Sequence, residues 1–265
     1  DFWDVSGLQA EARQGLEMGF SGKQIIHPNQ VEPVLAAGLR FVAIDAPGFG
    51  ETPAPGHRGF TPHVDAVMEA MNTLDLSRAI LCGHSMGGMT AQEVCASHPD
   101  RVSGMILSAT SPAFGKPGGD FQKAFLKARL EPFEQGMTMP QFAEAFAGKL
   151  VGPEPDRNAV EEIKSVLAAV NADTYQMAMR TITTFDCRHN LSKITVPTLL
   201  IAGENDTNSP SPMMQKMADK IEGSEFVELK STGHMAPIEN PFEFNHHLHK
   251  FIQQVFLFRE IINLS

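Results

Sequence analysis

Residues 83–88 read GHSMGG. A serine hydroxyl is a poor nucleophile. It needs a base within hydrogen-bond reach, a group that orients the base, and donors for the oxyanion that forms. The pattern G-x-S-x-G meets the geometric requirement, because small residues on both sides allow a strained strand-to-helix turn that holds Oγ above a sheet. Gly83, Gly87 and Gly88 supply them, and the turn places Ser85 at a helix N-terminus, where backbone N–H groups favour negative charge. Two later stretches offer partners. TLLIAGENDTNSP places Asp206 in a loop after an apolar run, with Glu204 as a rival acid, and FVELKSTGHMAP places His234 in a loop after the next one. Taken singly, each has a plainer explanation: an idle serine in a glycine turn, a loop-capping aspartate, one of ten histidines. The order Ser85, Asp206, His234, each following its own apolar run, favours a nucleophile, an orienting acid and a general base.

Those apolar runs are strand candidates, and helical patterns alternate with them. Residues 40–45 form a short apolar run that leads into the breaker-rich APGFGETPAPG. Val64, Val67, Met68, Met71 and Leu74 give a helix over 61–74, with Thr61 as N-cap and Pro62 at the first helical position. Further strands are expected at 79–82, 102–108, 198–202 and 225–229, and helices at 86–97, 212–221 and 242–256. Between 112 and 190 the periodicity is helical throughout: 121–130, 139–150, 160–170 and 174–185. The expected fold is α/β, a mostly parallel sheet with helices on both faces. It divides into an atypical segment 1–38, a core of 39–111 and 191–265, and a helical cap of 112–190.

Bulk properties narrow the function classes. The 265 residues are 42% hydrophobic and carry a net charge of −10, with no long basic run, which disfavours nucleic acid and anionic membrane as partners. Three cysteines without C-x-x-C spacing argue against a disulfide framework or structural zinc, and Cys82 and Cys95 read as core residues. His246 and His249 share a helix face, yet no carboxylate or cysteine completes a ligand set, so no metal is expected. His84 reads as packing, and Asp45, at a strand end near the site mouth, reads as a loop cap in preference to a substrate contact. The opening DFWDV has no secretory pattern and no run approaches a membrane span, so the expectation is a cytoplasmic protein. The apolar tail VFLFREIINLS is expected to pack or to form a self-association surface. The cap is rich in Phe and Met, a few of which are expected to line an apolar substrate pocket.

With these stretches assembled, the chain from about 39 to 256 resembles the α/β-hydrolases, most of all the 3-oxoadipate enol-lactone hydrolases and similar small esterases. VAIDAPGFGET, LCGHSMGGMTAQEVCASHPDRV, PTLLIAGENDTNSP and STGHMAPIENPFEFN carry the resemblance. It implies hydrolysis of a small carboxylic ester or lactone through an acyl-enzyme, without a cofactor. Ser85 is then the nucleophile, His234 the base, Asp206 its orienting acid, and the Met86 N–H one oxyanion donor. Arg129 and Arg180 are candidates for a substrate carboxylate. Residues 6–34 resemble something else: a fragment of citrate lyase β-subunit-like proteins, through GFSGKQIIHPNQ. The strand and His-Gly loop with which such hydrolases supply a second donor have no usual counterpart. Either the N-terminal strands are truncated, which would leave a catalytically impaired hydrolase fold, or 23–26 stands in for the lost strand and an N–H near Asn29 for the donor. Pro28 has no N–H to give. A perhydrolase or haloperoxidase-like side activity with the same three residues is a further alternative.

Overall fold

The computed structural model describes residues 41–262. Among the described residues four parallel strands form the sheet: β1 (Ala79–His84), β2 (Val102–Ser108), β3 (Thr198–Gly203) and β4 (Glu225–Leu229), in the spatial order 1-2-3-4. The register aligns their carboxyl ends, with His84 opposite Ser108, Ser108 opposite Ile201, and Gly203 opposite Leu229. Every residue of β2 and β3 is buried. That explains why they read as continuous apolar runs, as strands covered on both faces do.

The pleat sends alternate residues to two cores. Met105, Leu107, Leu200 and Ala202 face helices α1 (Thr61–Thr73), α2 (Met86–Ser97) and α7 (Ser211–Ala218) through Val64, Val94, Met214 and Met217. Ile106, Leu199 and Ile201 face the opposite side, against Phe244, Leu248, Phe251 and Ile252 of the last helix, α9 (Pro241–Ile262). The short helix α8 (Ala236–Glu239) precedes it. Between β2 and β3 lie α3 (Asp120–Glu134), α4 (Met139–Phe146), α5 (Arg157–Ala169) and α6 (Ala172–Ile182). They share a core of their own around Phe142, Phe146, Ile163 and Tyr175, joined by Met235 before α8 and Ile238 within it.

Four expectations need correction. Residues 41–46 have no regular secondary structure. Strand status requires a hydrogen-bonded neighbour, and among the described residues the sheet ends at β1. The N-cap of α1 is Phe60, without a side-chain bond, and Thr61 is already helical. Pro62 in the first turn starts the helix without help from a cap, since its missing N–H would have had no partner there. Cys82 is exposed on β1 whereas Cys95 is buried, because among the described residues β1 is the outer strand and only partly covered. The helices at 139–150, 174–185 and 212–221 end earlier than their apolar spacing suggests, at Phe146, Ile182 and Ala218. The readings placed on residues 1–38, including the stand-in strand at 23–26 and Asn29, lie outside the described residues. No helix among the described residues is long and apolar enough to cross a membrane.

Candidate functional site

Ser85 sits between the last residue of β1 and the first of α2 at φ 51°, ψ −114°, a conformation that non-glycine residues rarely adopt. Its neighbours explain how the turn is held. A Cβ on Gly83 would lie 2.3 Å from the Gly87 carbonyl oxygen, and one on Gly88 would lie 2.7 Å from the Thr110 side chain. Both positions therefore exclude any side chain. Ser85 N donates to the Ser108 carbonyl at 2.8 Å, and the Thr110 hydroxyl donates to the Ser85 carbonyl at 2.7 Å. The backbone is pinned on both sides to the end of β2.

Asp206 follows β3. Its Oδ1 accepts from Asn208 N at 2.7 Å and Ser209 N at 3.0 Å, and its Oδ2 lies 2.8 Å from His234 Nδ1. The Ser209 hydroxyl ties this loop to the Ala109 carbonyl at 2.8 Å. Burial works to raise the Asp206 carboxyl. The hydrogen bond and charge of His234, with the N–H groups of Ser209 and Asn208, outweigh it and leave the carboxyl below the usual range. An ionised carboxylate only accepts, so Nδ1 of His234 carries a proton, and in the neutral imidazole Nε2 presents its lone pair. That lone pair faces Ser85 Oγ at 3.2 Å. The three side chains form one continuous relay at the carboxyl ends of β1, β3 and β4. The rival acid, Glu204, is engaged elsewhere: Lys230 Nζ and Ser231 N donate to it, both at 3.0 Å.

His84, read from sequence as packing, does pack, and its neighbour is His234. The two imidazole centroids are 5.0 Å apart, and His84 Nδ1 lies 3.3 Å from Ser108 Oγ. Burial, then repulsion from His234, pushes His84 down to about 3, against a smaller pull from Asp206. It stays neutral beside the His234 imidazole. Met86 opens α2, with its N–H at the helix start. The Met86 side chain packs in an apolar group with Phe114, Phe125 and Met179, beside buried Phe60, Ile182 and Phe185.

The two arginines expected to meet a substrate carboxylate have different surroundings. Arg129 stacks over Phe146 at 4.1 Å and Phe125 at 5.2 Å and reaches Asn208 Oδ1 at 3.3 Å. It bridges the helices of the insertion to the Asp206 loop. Arg180 lines a shallow depression with Arg58, Asp173, Gln176 and Met177. Asp45 accepts a hydrogen bond from the Thr52 hydroxyl at its carbonyl, 3.2 Å, within the loop it begins.

Residues 19–241 match the family described as alpha/beta hydrolase fold. The chain belongs to the α/β-hydrolase family. The match starts within residues 6–34, the stretch read from sequence as a citrate lyase β-subunit-like fragment, and assigns it from residue 19 onward to the α/β-hydrolase family instead. Among curated relatives, the AB hydrolase superfamily protein YisY of Bacillus subtilis is 30% identical over 224 residues, covering 82% of each chain. Among solved structures, a thermophilic esterase from Thermogutta terrifontis superposes with a TM-score of 0.78 at 25% identity, covering 89% of this chain and 88% of that one. The enol-lactonase of Burkholderia xenovorans LB400 gives 0.74 at 26% identity, covering 84% and 86%.

Sequence reasoning missed two residues of this α/β-hydrolase site. Thr110 follows β2 and fixes the Ser85 carbonyl. Glu239 holds the backbone around His234. The only sequence signal for Glu239 is its position five residues after the histidine in a proline-bearing helix of four residues.

Proposed function

We propose that this α/β-hydrolase is a serine hydrolase that cleaves a small carboxylic ester or lactone through an acyl-enzyme. The observation that carries the reading is the relay Ser85 Oγ–His234 Nε2–His234 Nδ1–Asp206 Oδ2, at 3.2 and 2.8 Å, on a strained elbow at the head of a helix. Ser85 Oγ attacks the substrate carbonyl carbon and its proton passes to His234 Nε2. Asp206 stabilises the imidazolium, and the Met86 N–H at the start of α2 serves as one donor to the oxyanion. As the tetrahedral adduct collapses, the ester or lactone C–O bond breaks and the alkoxide takes the proton from His234. In a lactone the leaving alkoxide stays tethered to the acyl group. Water, deprotonated by His234, then attacks the acyl-enzyme and frees Ser85.

The likeness to an esterase and an enol-lactonase supports ester or lactone carbonyls as the substrate class. The apolar group around Met86, Phe114, Phe125 and Met179 supports an apolar substituent on that carbonyl. The test is hydrolysis of p-nitrophenyl acetate and butyrate by the protein beside Ser85→Ala. Turnover that disappears in the variant is expected. Equal rates from two folded proteins would mean a hydrolase scaffold without a working site.

A further inference from the structure

The loop that carries His234 is held by more than its own turn. Three consecutive backbone N–H groups are captured: Gly233 donates to Glu239 Oε2 at 3.0 Å, His234 to the Leu150 carbonyl at 2.7 Å, and Met235 to Glu239 Oε1 at 2.9 Å. The same carboxylate accepts from Gly152 N at 2.6 Å, a residue 87 positions earlier in the chain, just past α4. Leu150 and Gly152 belong to the helical insertion between β2 and β3, so one acid joins the insertion to both sides of the base.

The fit is too close for side chains. A Cβ on Gly152 would lie 2.2 Å from the Ser231 carbonyl oxygen, and one on Gly233 would lie 2.5 Å from the Val151 carbonyl carbon. Met235 and Ile238, flanking this acid, are buried in the insertion's own core with Phe142, Phe146 and Ile163. Glu239 meets only donors with its two oxygens, and charge-assisted bonds of this kind are the stronger class. A base loop fastened this way cannot shift without dragging residues 150–152.

We propose that Glu239 is a positioning residue: it clamps the backbone on both sides of His234 and fixes it to residues 150–152, so that the imidazole meets Ser85 only while that part of the insertion is docked. The proposal rests on the reading of Ser85, Asp206 and His234 as the working triad. It makes the insertion part of the catalytic geometry rather than a cover alone.

Glu239→Gln is the test. The amide keeps the size of the side chain but turns one acceptor into a donor that faces an N–H. With p-nitrophenyl acetate, kcat is expected to fall about 10²-fold, the cost of a base misplaced by about an ångström, with KM within twofold of wild type. A folded Glu239→Gln protein with kcat within threefold of wild type would overturn the proposal, because a purely space-filling role predicts that result. Hydrogen exchange on the wild-type protein gives an independent readout if the variant does not fold. The amides of Gly152, Gly233 and Met235 are expected to exchange slowly and at one common rate. Gly152 exchanging ten times faster than Gly233 and Met235 would overturn the proposal as well. Failure of the triad reading looks different: wild type and Ser85→Ala would hydrolyse equally, while the exchange rates still decide whether the clamp exists.

Discussion

Replacing Asp206 with asparagine isolates what the acid does. Its side chain is fully buried, and Oδ1 accepts from Asn208 N and Ser209 N, at 2.7 and 3.0 Å. An asparagine keeps those two bonds if its carbonyl oxygen takes the Oδ1 place. Its amide nitrogen then occupies the Oδ2 place, 2.8 Å from His234 Nδ1. An NH₂ group donates, so Nδ1 must become the acceptor and the imidazole proton moves to Nε2. That proton then points at Ser85 Oγ, 3.2 Å away, and the base can no longer accept. The fold survives while the tautomer is wrong. For triads of this design the expected loss in kcat is about 10⁴-fold, close to 5.5 kcal/mol of transition-state stabilisation. The assay is kcat for p-nitrophenyl acetate by Asp206→Asn, with Ser85→Ala as the floor and circular dichroism as the check on folding. Glu204→Gln, an exposed acid paired with Lys230, is the control and should stay within twofold of wild type. Retention of more than a tenth of wild-type kcat in Asp206→Asn would refute the assignment of the orienting acid.

Three further outcomes are expected. Gly83→Ala forces a Cβ to within 2.3 Å of the Gly87 carbonyl and should cost about 3 kcal/mol in urea unfolding, whereas Gly148→Ala, which meets open space, should stay within about 0.5 kcal/mol. His84 is neutral in the folded protein down to about pH 3, but in the unfolded chain it protonates near 6.5. Unfolding therefore takes up a proton between those values, and stability falls as pH drops through that window. Buried His63 adds to the trend in the same direction. Unfolding free energies of wild type and His84→Gln measured from pH 7 to 4 should differ in slope by up to about 1.4 kcal/mol per pH unit, and parallel curves would contradict the burial of a neutral His84. Arg129→Ala removes a cation stacked on two rings and should destabilise the protein by about 1–2 kcal/mol while leaving the preference between neutral and anionic esters unchanged. A loss confined to anionic esters would return Arg129 to the role of substrate carboxylate partner.

The parts of the site that sequence alone exposes are those governed by local rules. Gly83 and Gly88 announce the elbow because the close approaches there tolerate no side chain. Asp206 and His234 stand out because each follows a strand whose run of apolar residues is legible by itself. The α2, β2 and β4 boundaries match the sequence pattern to the residue for the same reason. What sequence hides is set by distant partners. Glu239 looks like any surface acid until Gly152 and Gly233 are brought to it. Residues 41–46 have strand composition, but composition does not supply a ladder neighbour. The tie between Arg129 and Asn208 joins residues 79 positions apart, which no spacing rule anticipates.

The parallel sheet has a consequence for how this protein becomes active. Ser85 and His234 are 149 positions apart in the chain, and β2 and β3 lie between the strands that deliver them. Contacts of that span require long loops to close before any favourable interaction rewards them. Helices can form early, and the elbow can be shaped by β1, β2 and α2 alone, but the relay exists only once β4 has aligned on β3. During refolding, helical signal should return before turnover does. If Ser85 is the nucleophile proposed above, a covalent label on it would then count the molecules in which the four described strands are assembled, a reporter of folding across that sheet.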